Sequence, residues 1–229
     1  MALVEETRYG PFERAQDRAA YDGLRDRVLT RVMAKGDPID LAALSDELDV
    51  EPQYLEAALV RLSSEFLVSR DDLGVYRAVP LTIEMADGLF DARTTIEIGV
   101  VDSKIATLDD RDLAVLDELA AQLATIVAEP IPDLSRFLAA SHDYHSHLVG
   151  LAQSAPLSAA YLRLGISRLW RSSIADLDWW NLFDVTHHGE LTTALKSRDA
   201  ARAKELIYEH QAQVKQLVRD VITAGGGAL

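Results

Sequence analysis

Apolar residues recur along most of the chain at the three-and-four spacing of a helix. From about Tyr21, the residues Leu24, Val28 and Val32 share one face, and the pattern breaks at Lys35-Gly36-Asp37-Pro38, where glycine and proline punctuate it. Leu41, Leu44 and Leu48 form a short second stripe, and Leu55, Leu59, Leu62 and Phe66 form a third. Between them Asp49-Val50-Glu51-Pro52 reads as a tight turn. The segment LVSRDDLGVYRAV then sets Asp71-Asp72 and Gly74 between two stretches rich in Val, Leu and Tyr, the pattern of a small hairpin. Three helices followed by a hairpin predict a winged helix-turn-helix over residues 16–80, behind a flexible segment 1–15.

Beyond Pro80 no strand pattern remains. Thr82 can cap a helix to about Ile105, and Thr107 with Asp110 can open one carrying Leu113, Leu116, Leu119 and Leu123. Pro132-Asp133 can open a third through Leu151, with further helices from Pro156, from about Asp184, and from Asp199 to Ala224. Residues 81–229 therefore read as an antiparallel all-helical bundle, and the chain as mainly α. The Gly225-Gly226-Gly227 tail is expected to fray.

Composition narrows the chemistry. The 229 residues contain no cysteine, which excludes disulfides, thiolate nucleophiles and cysteine-held clusters, and fits a reducing compartment. Lys plus Arg number 23 against 37 Asp plus Glu, a net charge of −14 that argues against coating nucleic acid or an anionic membrane through bulk charge. The N-terminus lacks a basic region followed by an apolar run, and no apolar stretch approaches about 18 residues, so a cytoplasmic protein without a membrane segment is expected.

Three histidines draw attention. Asp143 and His147, four apart on the helix at 133–152, lie one turn above each other. His188 precedes Leu191 and Leu195 by three and seven residues, and His210 falls inside the stripe Ala203, Leu206, Ile207, Val214, Leu217 and Val221. Any one alone reads as a buried, hydrogen-bonded core histidine. Three imidazoles with one carboxylate aimed at one interior suit a single Zn²⁺, Ni²⁺ or Mn²⁺ ion, and spacing alone leaves both readings open.

The domain order, together with DYHSH, HHGELTTALKSRD and AARAKELIYEH, resembles a GntR-type transcriptional regulator of the FadR subfamily with a C-terminal FCD domain, over roughly residues 20–220. The resemblance implies a divalent transition metal held by Asp143, His147, His188 and His210, with His142, His145 and His187 at the surface or in support. It implies that Arg93 and Glu97, in ARTTIEIG, face the same cavity. There a small carboxylate effector would bind the metal with one oxygen and the guanidinium fork with the other. Trp179, Trp180 and Phe183 in LDWWNLF would line the pocket or a dimer contact, or pack in the core. A homodimer on a two-fold operator is implied as well.

The reading head is acidic. Residues 21–80 carry seven bases against twelve acids, and the stretch VEPQYLEAALVRLSSEF holds Glu51 and Glu56 with Arg61 as its only base. Operator contact would rest on Gln53 and Tyr54 at base edges, on Arg61, and on Arg70 and Arg77 at phosphates. Two readings follow: a ligand-responsive regulator binding a metal and a small carboxylate, or a family member without operator binding that uses the metal as an enzyme centre. No serine elbow, phosphate loop or dinucleotide fingerprint is present to support other catalysis.

Overall fold

The computed structural model describes residues 15–29, 36, 38–166 and 186–228. They fall into two units: the chain up to Thr82 together with its end from Gly225 onward, and Ile83–Ala224.

The first unit contains α1 (Ala15–Leu29), α2 (Leu41–Leu48), α3 (Pro52–Ser64), β1 (Val68–Arg70) and β2 (Tyr76–Ala78). Local chemistry sets these limits. Asp40 caps α2 by accepting from the backbone of Ala42 and Ala43, and Asp49 ends it in the left-handed region (φ 51°) with its N–H on the Ser45 carbonyl. Pro52 occupies the first turn of α3, where its missing N–H costs nothing. In the hairpin, Val68 faces Ala78 and Arg70 faces Tyr76. Its turn is held by Asp71 Oδ1, which accepts from Leu73 and Val75 N–H, and by Gly74 at φ +84°, a conformation that favours glycine.

Leu24, Leu44, Leu55, Leu59 and Leu62 close the core of this unit around Tyr21. Phe66, expected on the third stripe, is 75% exposed, because α3 ends at Ser64 and the chain turns at positive φ. Leu67 and Val68 take the buried places instead. The core also encloses charge: Tyr21 O–H donates to Glu65 at 2.6 Å, and Arg25 Nε and Arg61 Nε stand 3.6 and 3.4 Å from the same carboxylate.

The second unit is all helical among its described residues: α4 (Ile83–Lys104), a short 3₁₀ turn (Ile105–Thr107), α5 (Asp110–Val127), α6 (Leu134–Gly150), α7 (Ala155–Arg163), α8 (His187–Lys196) and α9 (Ala200–Ala224). Asp109, not Thr107, caps α5 by accepting from Asp112 N–H, while the Thr107 hydroxyl bonds back to Lys104. Asp133 and Ser154 cap α6 and α7. The longest helix, α9, packs on α4 and α8; α5 packs on α6 and α8; α6 also meets α4 and α7. Leu116 and Leu123 of α5, Tyr144 and Leu148 of α6 and Leu191 of α8 are buried between them.

The α9 stripe holds as far as Val214 and then departs from expectation, with Val218 and Ile222 buried in place of Leu217 and Val221, and Gln211 buried beside His210. A run of 3.6-residue turns carries the buried line to these positions. Trp179, Trp180 and Phe183, and the helix start expected near Asp184, lie outside the described residues. No helix of the described residues is long and apolar enough to cross a membrane.

Candidate metal centre

The inward face of α6 is defined by Leu138, His145 and Val149, at offsets of zero, seven and eleven, beside the line Phe137, Tyr144 and Leu148. His145 is thereby 2% exposed. His188 enters from the first turn of α8 and is equally buried; half-buried His210 enters from α9. Each offers a ring nitrogen, and the three nitrogens lie within 4.8 Å of one another. Nε2 of His145 and Nε2 of His188 are 3.3 Å apart.

That separation bears on whether an ion fits. Two nitrogens each about 2.0–2.1 Å from a tetrahedral zinc stand about 3.3–3.4 Å from each other. Neutral ligands are also required. Burial, and then the neighbouring imidazoles, hold His188 and His210 well below the usual histidine range, so both are uncharged near neutrality. Burial and Arg93 lower His145, with Glu97 opposing. His188 Nδ1 and His210 Nδ1 are buried without hydrogen-bond partners among the described residues. Three neutral imidazoles from three helices therefore have the spacing and protonation of a metal-holding set, with the remaining coordination positions open to a ligand.

Tyr144 braces this arrangement. Its hydroxyl donates to the His188 carbonyl at 3.0 Å and meets Thr192 Oγ1 at 2.9 Å, tying α6 to the start of α8. Its ring stands edge-on to those of His145 and His188. His187 is buried too, stacked on His210 with ring centres 4.1 Å apart.

Beside the histidines lies a cavity of about 50 Å³ whose lining includes Arg93, Ser141, His142, His145, Tyr161 and His210. Arg93 is 5% exposed. Its Nε donates to Glu97 Oε1 at 2.9 Å, and its Nη2 is buried with no partner among the described residues. Glu97 is fully buried and does not line the cavity; burial would raise its carboxyl, but Arg93 and His145 outweigh that and hold it at about 2. The acid is ionised and shared: Tyr161 O–H donates to the same oxygen at 3.3 Å, and His145 Nδ1 lies 3.1 Å from it in a bent contact.

The predicted ligands divide. His188 and His210 converge; Asp143 and His147 do not join them. Asp143 is exposed, and His147 Nε2 lies 3.3 Å from the Asp112 carbonyl, on the α5 side. The cause is helical phase: His145, two residues from each, is a little over half a turn away and occupies the inward line. The Leu138–His145–Val149 spacing carried that signal in the sequence. Glu97 likewise departs from the expected effector contact, since it sits behind Arg93 rather than in the cavity.

In the winged unit, Gln53 is exposed at the start of α3 and donates to Glu51, and Tyr54 is half-buried. Arg61 lies over the Tyr21 ring, 4.4 Å from its centre, and reaches Glu65, so it faces inward. Arg77 bonds Asp71 and the Gly36 carbonyl. Arg70 is exposed on the hairpin, where it donates to the Gly74 carbonyl.

The family model for the FCD domain matches residues 88–213, more than half of the chain. This chain belongs to the FCD domain family. The histidine cluster, Arg93 and Glu97 all fall within the matched FCD residues. The solved structures it resembles share both units. An Escherichia coli protein, McbR/YncC, aligns with TM-score 0.70 at 16% identity, over 90% of this chain and 98% of that one. A Rhodococcus structure described as a putative transcriptional regulator GntR aligns with TM-score 0.66 at 21% identity, over 90% and 98%. A GntR family member from Pseudomonas syringae pv. tomato aligns with TM-score 0.54 at 16% identity, over 99% and 98%. At these identities the likeness establishes the fold: a winged helix-turn-helix followed by an FCD helical bundle, as in GntR-family regulators. No curated protein matches the sequence.

Proposed function

We propose that this FCD protein is a ligand-responsive GntR-type transcriptional regulator. Its bundle holds one divalent transition metal on His145, His188 and His210 and takes a small carboxylate between that metal and Arg93. The observation that carries this reading is the buried Nη2 of Arg93, without a partner among the described residues, in the cavity that His145 and His210 also line. A guanidinium fork beside an ion with open positions selects a planar anion of matching geometry. A cavity of about 50 Å³ has room for only a few heavy atoms, which favours a short-chain acid. An all-imidazole donor set favours zinc or nickel over the harder manganese.

The metal supplies Lewis acidity toward the carboxylate; the chain supplies the rest. Glu97 offsets one of the three positive charges that Arg93 and a divalent ion would bring together, Arg93 orients the anion, and the surrounding apolar residues exclude water. For a regulator the useful output is a change in the spacing of two reading heads, so the active species is a homodimer on operator DNA. Gln53 and Tyr54 at base edges and Arg70 on phosphate make those contacts, while Arg61 supports the unit from within and Arg77 ties the hairpin to Asp71 and the Gly36 carbonyl.

Calorimetric titration of metal-loaded protein with short-chain acids and their neutral amides tests the site. Acids bind and amides do not, and Arg93→Lys, which keeps the charge but loses the fork, weakens acid binding by about tenfold, the loss of one charge-assisted hydrogen bond. Equal affinity for acids and amides contradicts the reading.

A further inference from the structure

Glu97 is the only carboxylate among the described residues that stands within hydrogen-bond reach of the clustered histidines, and it makes no contact with the cavity. Its Oε1 accepts from Arg93 Nε at 2.9 Å and from the Tyr161 hydroxyl at 3.3 Å, and it lies 3.1 Å from His145 Nδ1, at an angle too bent for a hydrogen bond as the ring now stands. Arg93 and His145 serve different parts of the proposed ligand site: the first orients the anion, the second belongs to the metal-holding set.

We propose that Glu97 is a positioning residue that fixes the tautomer and ring direction of His145, so that Nε2 presents its lone pair to the metal. This inference rests on the metal reading above. A neutral imidazole carries one N–H. With the proton on Nε2, it would point at His188 Nε2, 3.3 Å away, and close the position between them. With the proton on Nδ1, a small rotation of the ring turns it onto the Glu97 carboxylate oxygen 3.1 Å away, and Nε2 is left as an acceptor facing His188. A carboxylate at Nδ1 selects the second state and makes Nε2 a better ligand. Arg93 keeps that carboxylate charged and in place, because its own Nε is committed to the same oxygen. Tyr161, a cavity-lining residue, supports it from a third direction.

Two measurements test this. The first is a long-range ¹H–¹⁵N correlation spectrum of His145 in metal-free, ¹⁵N-labelled protein. It reads the Nδ1–H form in the wild type and in Glu97→Gln, whose amide oxygen still accepts, and an Nε2–H or mixed population in Glu97→Met. The second is zinc affinity by chelator competition, which falls by about 10–100-fold in Glu97→Met, the usual cost of a lost supporting hydrogen bond, and recovers most of that in Glu97→Gln. The wild-type spectrum needs no variant, so it decides the point even if Glu97→Met does not fold. An Nε2–H tautomer in the wild type, or unchanged zinc affinity in folded Glu97→Met, overturns the proposal. Failure of the wild type to bind zinc, with the Nδ1–H tautomer present, overturns the metal reading and leaves the placement of the proton by Glu97 standing.

Discussion

His145 Nε2 and His188 Nε2 face each other at 3.3 Å, one carried by the middle of α6 and the other by the first turn of α8. With a proton on either Nε2 the two rings share an N–H···N hydrogen bond, and with both nitrogens as acceptors they repel unless a cation is shared between them, which is the state the metal reading requires. His145→Ala and His188→Ala are each expected to lower zinc or nickel affinity by at least about 100-fold, beyond the 10–100-fold typical of a lost supporting contact. Asp143→Asn and His147→Ala are expected to leave it within about twofold, as befits residues outside the site. Metal content after gel filtration against a weak chelator ranks the four variants, and loss of metal in Asp143→Asn contradicts the ligand set.

Arg61 illustrates a base on a reading helix that serves the fold. Its guanidinium lies on Tyr21 and reaches Glu65, a carboxylate buried with Arg25 and the Tyr21 hydroxyl. Removing one partner of such a cluster leaves charge inside without full compensation, which costs about 1–3 kcal/mol for a half-buried member. Arg61→Ala is expected to lower the unfolding midpoint in urea while leaving the salt slope of DNA binding unchanged. Arg70→Ala is expected to do the reverse and reduce that slope by about one. A slope reduced equally by both variants counts against the inward assignment.

The hairpin depends on one carboxylate. Hydrogen bonds from Val75 N–H, and then from Arg77 and Leu73, hold Asp71 below its ordinary range against a smaller opposing effect of burial. A depressed folded value means that the stabilisation is complete above the unfolded value of about 3.9 and fades as pH falls through the folded one. Amide exchange at Val75 is therefore expected to be protected at pH 6 and progressively less so below about pH 4. In Asp71→Asn, where the side chain does not titrate, the protection loses that pH dependence.

Much of this was legible in the sequence. The stripe of Leu55, Leu59 and Leu62, the Asp49–Pro52 turn and the Asp71–Gly74 hairpin are local signals, set by periodicity, proline and glycine, and the chain obeys them. His188 and His210 were legible for the same reason, since each shares a face with leucine or isoleucine neighbours. His145 was missed because the Asp143–His147 pair has the one-turn spacing of a chelating couple, while the phase that decides burial is fixed by Leu138, Tyr144 and Val149 further along α6. The hub at Glu97 joins α4, α6 and α7, and the inward turn of Arg61 depends on α1. Contacts between distant elements leave no local mark on a chain read one face at a time.

Pairing of two reading heads predicts a homodimer. Light scattering at micromolar concentration is expected to return about twice the 25.2 kDa of one chain. A species of single-chain mass removes the proposed route from effector to operator.

A regulator of this kind has DNA binding that answers to an acid held at the histidine cluster. The most direct measurement is selection of genomic fragments by the zinc- or nickel-loaded protein at about 50 mM salt, where phosphate contacts are strongest, followed by retardation assays with and without short-chain acids. Enrichment of a palindromic site is expected, with a shift in its occupancy by an acid to which Arg93→Lys no longer answers. Uniform failure to retain any fragment with metal and acid present, or a site whose occupancy no acid changes, contradicts the regulator reading.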